Sequence, residues 1–189
     1  MKLLFIVLVL AVAHALPGLL ALTSPASFGA SLRKFARNVP VGFILMTLGT
    51  GWFFWNLYSS DLTDFMALRP FLYGAVILVG AGNCLFVQDY IAVRGAAVMA
   101  LLACDKILDW QRWHVTAGFN PQGWLQPKNL IVLWCYAVIV LAIWLIHSPR
   151  RLRDGLDWAA GTPARLRQVG GSLLGFGALL ALLGVVWLR

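Results

Sequence analysis

IAVRGAAVMALLACDKILDW, residues 91–110, is the stretch on which the architecture turns. Its uncharged core, Gly95–Cys104, has ten residues. As a helix it would reach only ~15 Å, about half of a ~30 Å hydrocarbon core. Apolar sequence continues on both sides, as Ile91-Ala92-Val93 and Ile107-Leu108. The segment therefore reads as one helix, Ile91 to Trp110, with charges inside its ends.

Outward from it, the uncharged runs are Leu3–Leu32, Asn38–Ser60, Pro70–Gln88, Asn129–Pro149 and Gln168–Leu188. Each is long enough to cross a bilayer as a helix of about 20 residues. The expectation is an all-α integral membrane protein of six transmembrane helices, at about 3–22, 40–59, 70–88, 91–110, 129–147 and 168–188. Residues 1–189 would form a single transmembrane domain.

Composition demands the same solvent. The chain is 61% hydrophobic and 12% charged, with a mean hydropathy of +0.82. A soluble domain carries about 25% charged residues, and a chain this poor in charge would expose apolar patches large enough to aggregate. The formal charge of +8 does not indicate nucleic-acid binding. The basic residues cluster between apolar runs, which is the positive-inside pattern. Cys84, Cys104 and Cys135 all lie within apolar runs and show no CxxC spacing, so they read as small buried hydrophobes.

Orientation follows from the basic clusters. With the loop after the first helix cytoplasmic, Arg33, Lys34, Arg37, Arg94, Arg150, Arg151, Arg153, Arg165 and Arg167 fall inside. Lys2, Arg69, Lys106, Arg112, Lys128 and Arg189 fall outside. This predicts both termini non-cytoplasmic, and Arg outnumbering Lys eleven to four suggests a GC-rich bacterial genome and so a bacterial cytoplasmic membrane. A cleaved signal peptide is the rival reading, because Ala13-His14-Ala15 resembles a cleavage site. The apolar stretch runs on through Leu16–Leu22, longer than a usual signal core, and so is read as a span.

Val87-Gln88-Asp89-Tyr90 is short enough to make the third and fourth helices an antiparallel hairpin. Residues 148–167 form an amphipathic basic cytoplasmic loop, whose Leu152, Leu156 and Trp158 can dip into the interface. There Arg150, Arg151, Arg153, Arg165 and Arg167, with Arg33, Lys34 and Arg37 of the first loop, are expected to contact anionic lipid. Residues 110–128 form a Trp-rich external loop, with Trp110, Trp113 and Trp124 suited to the headgroup layer.

The pattern Ser148-Pro-Arg-Arg-Leu-Arg153, then Pro163-Ala-Arg-Leu-Arg167, then Gly170 and a Leu/Gly-rich helix resembles small two-helix bacterial inner-membrane proteins of unknown function. The resemblance covers residues 148–189 and implies no activity.

Polar residues at membrane depth are functional candidates, since burying charge in lipid is costly. Arg94 can snorkel toward cytoplasmic headgroups on its long stem, whereas Asp105 cannot reach as far. Asp105, Asp109 and Arg112 fall at i, i+4 and i+7, beside Lys106, and outline a polar vestibule or an interfacial anchor. His14 sits mid-span just before Pro17, where Thr47 or Thr50 could pair with it. The three histidines occupy three depths, which fits neither a bis-histidine haem nor a zinc site. No cofactor or metal is expected. Asn56, Asn83 and Gln88 read as interhelical hydrogen-bonders. Gly49/Gly51, Gly80/Gly82 and Gly171/Gly175/Gly177 provide small faces for helix contact or self-association. The function expected is structural or accessory, as a subunit packing against a larger membrane complex. The alternative is a transporter or channel for a small solute, ion or proton through Asp105, Lys106, Asp109, Arg112 and His14.

Overall fold

A computed structural model describes residues 2–60, 63–112 and 127–187, with the side chains of 4–60, 66–109 and 129–186. Among these residues there is no strand. The helices are α1 (Lys2–Thr23), α2 (Pro25–Phe35), α3 (Val39–Ser59), α4 (Arg69–Phe86), α5 (Ile91–Arg112), α6 (Pro127–His147), α7 (Arg150–Ala159) and α8 (Pro163–Trp187). A 3-10 turn, Thr63–Leu68, leads into α4.

Each of the six stretches expected to be helical holds a helix, the third ending at Phe86, two residues short of the expected bound. Among the described residues, four segments are long and apolar enough to cross a membrane: Leu4–Thr23, Met66–Phe86, Asn129–His147 and Pro163–Val186. Six spans are therefore not supported: among the described residues four helices meet the length and hydropathy that a span needs. The shortfall has a physical reason in α5. α5 carries Arg94, Asp105, Lys106, Asp109 and Arg112 within one helix. α3 holds no charge, and nothing in its composition sets it apart from the four as sharply as the charges do α5.

Local chemistry fixes several boundaries. The Asn38 side chain accepts the Val41 N–H at 3.2 Å and so caps α3, with Pro40 in the first turn. The Thr162 hydroxyl accepts the Arg165 N–H at 3.3 Å just before Pro163. α8 consequently begins at Pro163, not at 168, and takes Arg165 and Arg167 into its first turns. The expected basic loop is itself mostly helix, α7. One face of α7 carries Leu152, Leu156 and buried Ala159, while Arg150, Arg151 and Trp158 are exposed. α2 is not anticipated by the hydropathy pattern, because its Ser-rich sequence sums to neither an apolar nor a basic run.

The chain divides into two compact units. The first contains Met1–Arg33, Cys104–Val138 and Asp154–Arg189; the second contains Lys34–Ala103 and Ile139–Arg153.

In the first unit α1 and α8 pack antiparallel over most of their length. The seam is made by what is missing. A Cβ on Gly18 would lie 2.7 Å from the Gly170 carbonyl oxygen, and one on Gly177 would lie 2.7 Å from the Ala11 oxygen. Gly170, Gly177 and Gly184 recur every seven residues and face Ala21, Ala11 and Val7 respectively. In lipid no hydrophobic force drives helices together, so close backbone approach and dispersion must hold them. In the same unit, Arg33 donates to the Ala160 carbonyl just beyond the end of α7, a cation placed where unpaired helix carbonyls gather.

In the second unit Gly42 lies against Ile91 and Ala92, and a Cβ there would come within 2.4 Å of the Ala92 nitrogen. Gly95 meets Leu45 and Met46, and Gly49 meets Val98, so α3 and α5 run in the same direction. α4 joins them through Gly80, which faces Thr50. Tyr90, at the α4–α5 turn, has a positive φ of 57°. Its hydroxyl accepts a 3.0 Å hydrogen bond from Arg153 Nη1, which anchors this sterically costly residue. At the far end of α3, Phe54, Tyr58 and Tyr73 form an aromatic cluster, with ring centroids 5.2 and 6.2 Å from Tyr73.

Candidate functional site

Among the described residues, no hydrogen bond or ion pair joins His14 to Asp105, Lys106 or Asp109. Asp105, Lys106 and Asp109 lie along α5, all exposed, and none forms a hydrogen bond or ion pair with another described residue. The side chain of Arg112 lies outside the described residues, as does most of the Trp-rich segment 110–128. Among the described residues no group of three or more His, Cys, Asp or Glu stands close enough to hold a metal.

His14 lies elsewhere in the first unit, and its partner is neither Thr47 nor Thr50. Its Nδ1 donates to the Leu10 carbonyl at 2.7 Å, and its Nε2 accepts the Trp134 indole N–H at 3.2 Å. Indole only donates, so Nε2 carries no proton and the ring is neutral. Trp134 and Phe176 both meet the imidazole edge-on, with centroids 5.5 and 5.2 Å away. Both ring nitrogens are thereby occupied, within a cage contributed by α1, α6 and α8. Such a histidine ties three helices together. Thr50 instead donates to the Met46 carbonyl at 2.8 Å, within its own helix.

The thiols of Cys104 on α5 and Cys135 on α6 meet within hydrogen-bonding reach in the same unit. Both are fully buried, with exposures of 1% and 0%. The basic residues expected to meet lipid are exposed apart from Arg153, which is turned toward Tyr90. The Arg165 guanidinium lies 5.5 Å from the Trp158 ring centroid, a cation–π contact on the exposed face.

Sequence reasoning passed over one site in the second unit. A cavity of about 400 Å³ lies among α3, α4, α5 and the end of α6. From α3 it is lined by Met46, Gly49, Thr50 and Phe53, and from α4 by Ala75, Val76, Val79, Gly80 and Asn83. Arg94 and Val98 of α5 and Ile146 of α6 complete it. The walls are apolar. Asn83 spends an amide N–H on the Val79 carbonyl at 2.8 Å, within α4, and bridges no helices. Arg94 Nη1 is buried and has no hydrogen-bond partner. One guanidinium nitrogen is thus turned into the protein, while Arg94 as a whole stays partly exposed. The available signal was its isolation: a lone cation in the first turn of α5, with no acid at helical spacing to pair with it.

Together these features define the class: among the described residues, an all-helical chain with four helices long and apolar enough to cross a membrane, of which α1 and α8 share a glycine seam and meet α6 at a histidine cage. Compared with protein families, curated proteins and solved structures, the chain matches none.

Proposed function

We propose that the chain is a structural or accessory integral membrane protein that packs against a further transmembrane subunit through α8. The observation that carries this reading is the two-sidedness of that helix. Gly170, Gly177 and Gly184 are consumed by α1, whereas a Cβ on Gly171 or Gly175 would meet nothing within 4 Å. Ser172 and Ala178 continue the second face, and all four residues are exposed. A helix facing only acyl chains gains nothing from small residues. A Gly-x-x-x-Gly face lets a second helix approach to backbone contact.

The same reading places the protein in a bacterial cytoplasmic membrane with both termini non-cytoplasmic. Exposed Arg33, Lys34 and Arg37 follow the first candidate span, and exposed Arg150 and Arg151 follow the third. Both clusters then fall on one side, the side that retains basic residues.

Purification of the full chain in mild detergent, with identification of co-purifying membrane proteins, tests the subunit role. A second subunit should be retained and should be lost from Gly175→Ile. Recovery of a monomer alone overturns the proposal.

A further inference from the structure

Arg94 poses a problem that the described residues do not solve. Its Nη1 is buried without an acceptor, and an unpaired guanidinium N–H away from water is strongly disfavoured. Asp89, the nearest acid in sequence, is exposed at the α4–α5 turn and forms no ion pair with a described residue. Among the described residues, then, none supplies the acceptor.

The cavity beside Arg94 is polar at one end and apolar along its length. Gly95 meets Leu45 and Met46, which sets Arg94 near their level on α3; Gly80 meets Thr50, which sets Asn83 near the same level. Phe53 lies eight residues beyond Leu45, ~12 Å further along the helix. Ala75 and Val76 flank it there, eight and seven residues from Asn83 along α4. Arg94 occupies the first turn of α5, and helical side chains tilt toward the N-terminus, here toward the turn that carries Asp89 and Tyr90. A cavity of about 400 Å³ lies within the range of sites that enclose small ligands.

We propose that this cavity is a lipid site, which takes one acyl chain of an anionic phospholipid with its phosphodiester on Arg94. Charge complementarity selects the headgroup: guanidinium and phosphate form strong, charge-assisted hydrogen bonds, and Arg94 has a nitrogen free for one. The apolar walls running to Phe53, Val76 and Val79 receive the upper part of the chain. The site lies in the second unit and does not depend on the outer face of α8.

Native mass spectrometry of the full-length protein, titrated in micelles with phosphatidylglycerol or phosphatidylcholine, tests this. The first lipid retained should favour phosphatidylglycerol by about fivefold or more, the effect of one basic residue on an anionic headgroup. R94Q should abolish that preference, R94K should keep most of it, and R151Q, at an exposed arginine, should leave it intact. A75W, which fills the apolar end, should lose the first lipid of either kind. Equal retention of the two lipids by the unsubstituted protein overturns the proposal, a result that needs no variant to fold. So does a first phosphatidylglycerol retained undiminished by R94Q or A75W. Displacement of phosphatidylglycerol by equimolar palmitate would identify a free fatty acid as the occupant and also overturn it.

Discussion

The indole N–H of Trp134 reaches across from α6 to Nε2 of His14 on α1 at 3.2 Å, and fixes the imidazole as the neutral, Nδ1-protonated tautomer. A mid-helix histidine in an apolar segment invites a catalytic or proton-carrying interpretation. With Nδ1 on Leu10 and Phe176 against the ring, this one is a three-helix tie.

Trp134→Phe keeps the ring packing and removes the donor. The substitution should lower stability in detergent by about 0.6–2 kcal/mol, the range of hydrogen bonds between membrane helices. His14→Leu in the Trp134→Phe background should then cost less than His14→Leu alone, because the bond is already gone. Thermal unfolding of the four proteins in one detergent measures the coupling; strictly additive losses would remove the tie.

The two glycine faces of α8 should respond oppositely to alanine. At Gly177 the new methyl would lie 2.7 Å from the Ala11 oxygen and 2.9 Å from the Ala15 nitrogen, both backbone atoms. α1 and α8 must then separate, and overpacking of this kind costs about 1–3 kcal/mol. At Gly171 the methyl meets nothing within 4 Å, and the helix gains up to about 1 kcal/mol of intrinsic propensity. Unfolding of Gly177→Ala and Gly171→Ala in parallel checks the sign of each.

Cysteine accessibility reports on the interior. Cys84, Cys104 and Cys135 are 8%, 1% and 0% exposed. In folded micelles a membrane-permeant maleimide should leave all three unmodified over the time in which it labels them fully after denaturation. Mass spectrometry counts the adducts, and rapid labelling of Cys104 or Cys135 in the folded protein would contradict the packing of α5 on α6.

Orientation is read with fusions. Alkaline phosphatase at the C-terminus should be active and a fluorescent protein there dark, since phosphatase folds only outside the cytoplasm and the fluorophore only inside. Replacing Arg33, Lys34 and Arg37 with glutamine removes one basic cluster and should raise the fraction of inverted molecules. A fluorescent C-terminal fusion on the unaltered chain would reverse the topology.

What the sequence determined is whatever adds up along the chain. Low charge and long apolar runs point to lipid and helix, and the amphipathic character of 148–167 is legible too, although its folding as α7 is not. Asn38 and Pro163 mark helix starts through chemistry within one turn. The stretch at 91–110 yields its helix in the same way, yet hydropathy cannot make a span of a segment with charges at both ends.

Only the tertiary structure decided which residues meet. His14 and Trp134 are 120 positions apart, and their contact depends on the azimuth and register of α1 and α6, which no sum over neighbours contains. For the same reason Gly170 is packed while adjacent Gly171 is open: one residue turns the face by ~100° at ~3.6 residues per turn. Arg94 was visible in the sequence as a lone cation. That one of its nitrogens ends buried beside an apolar cavity follows from where α3 and α4 stand around it.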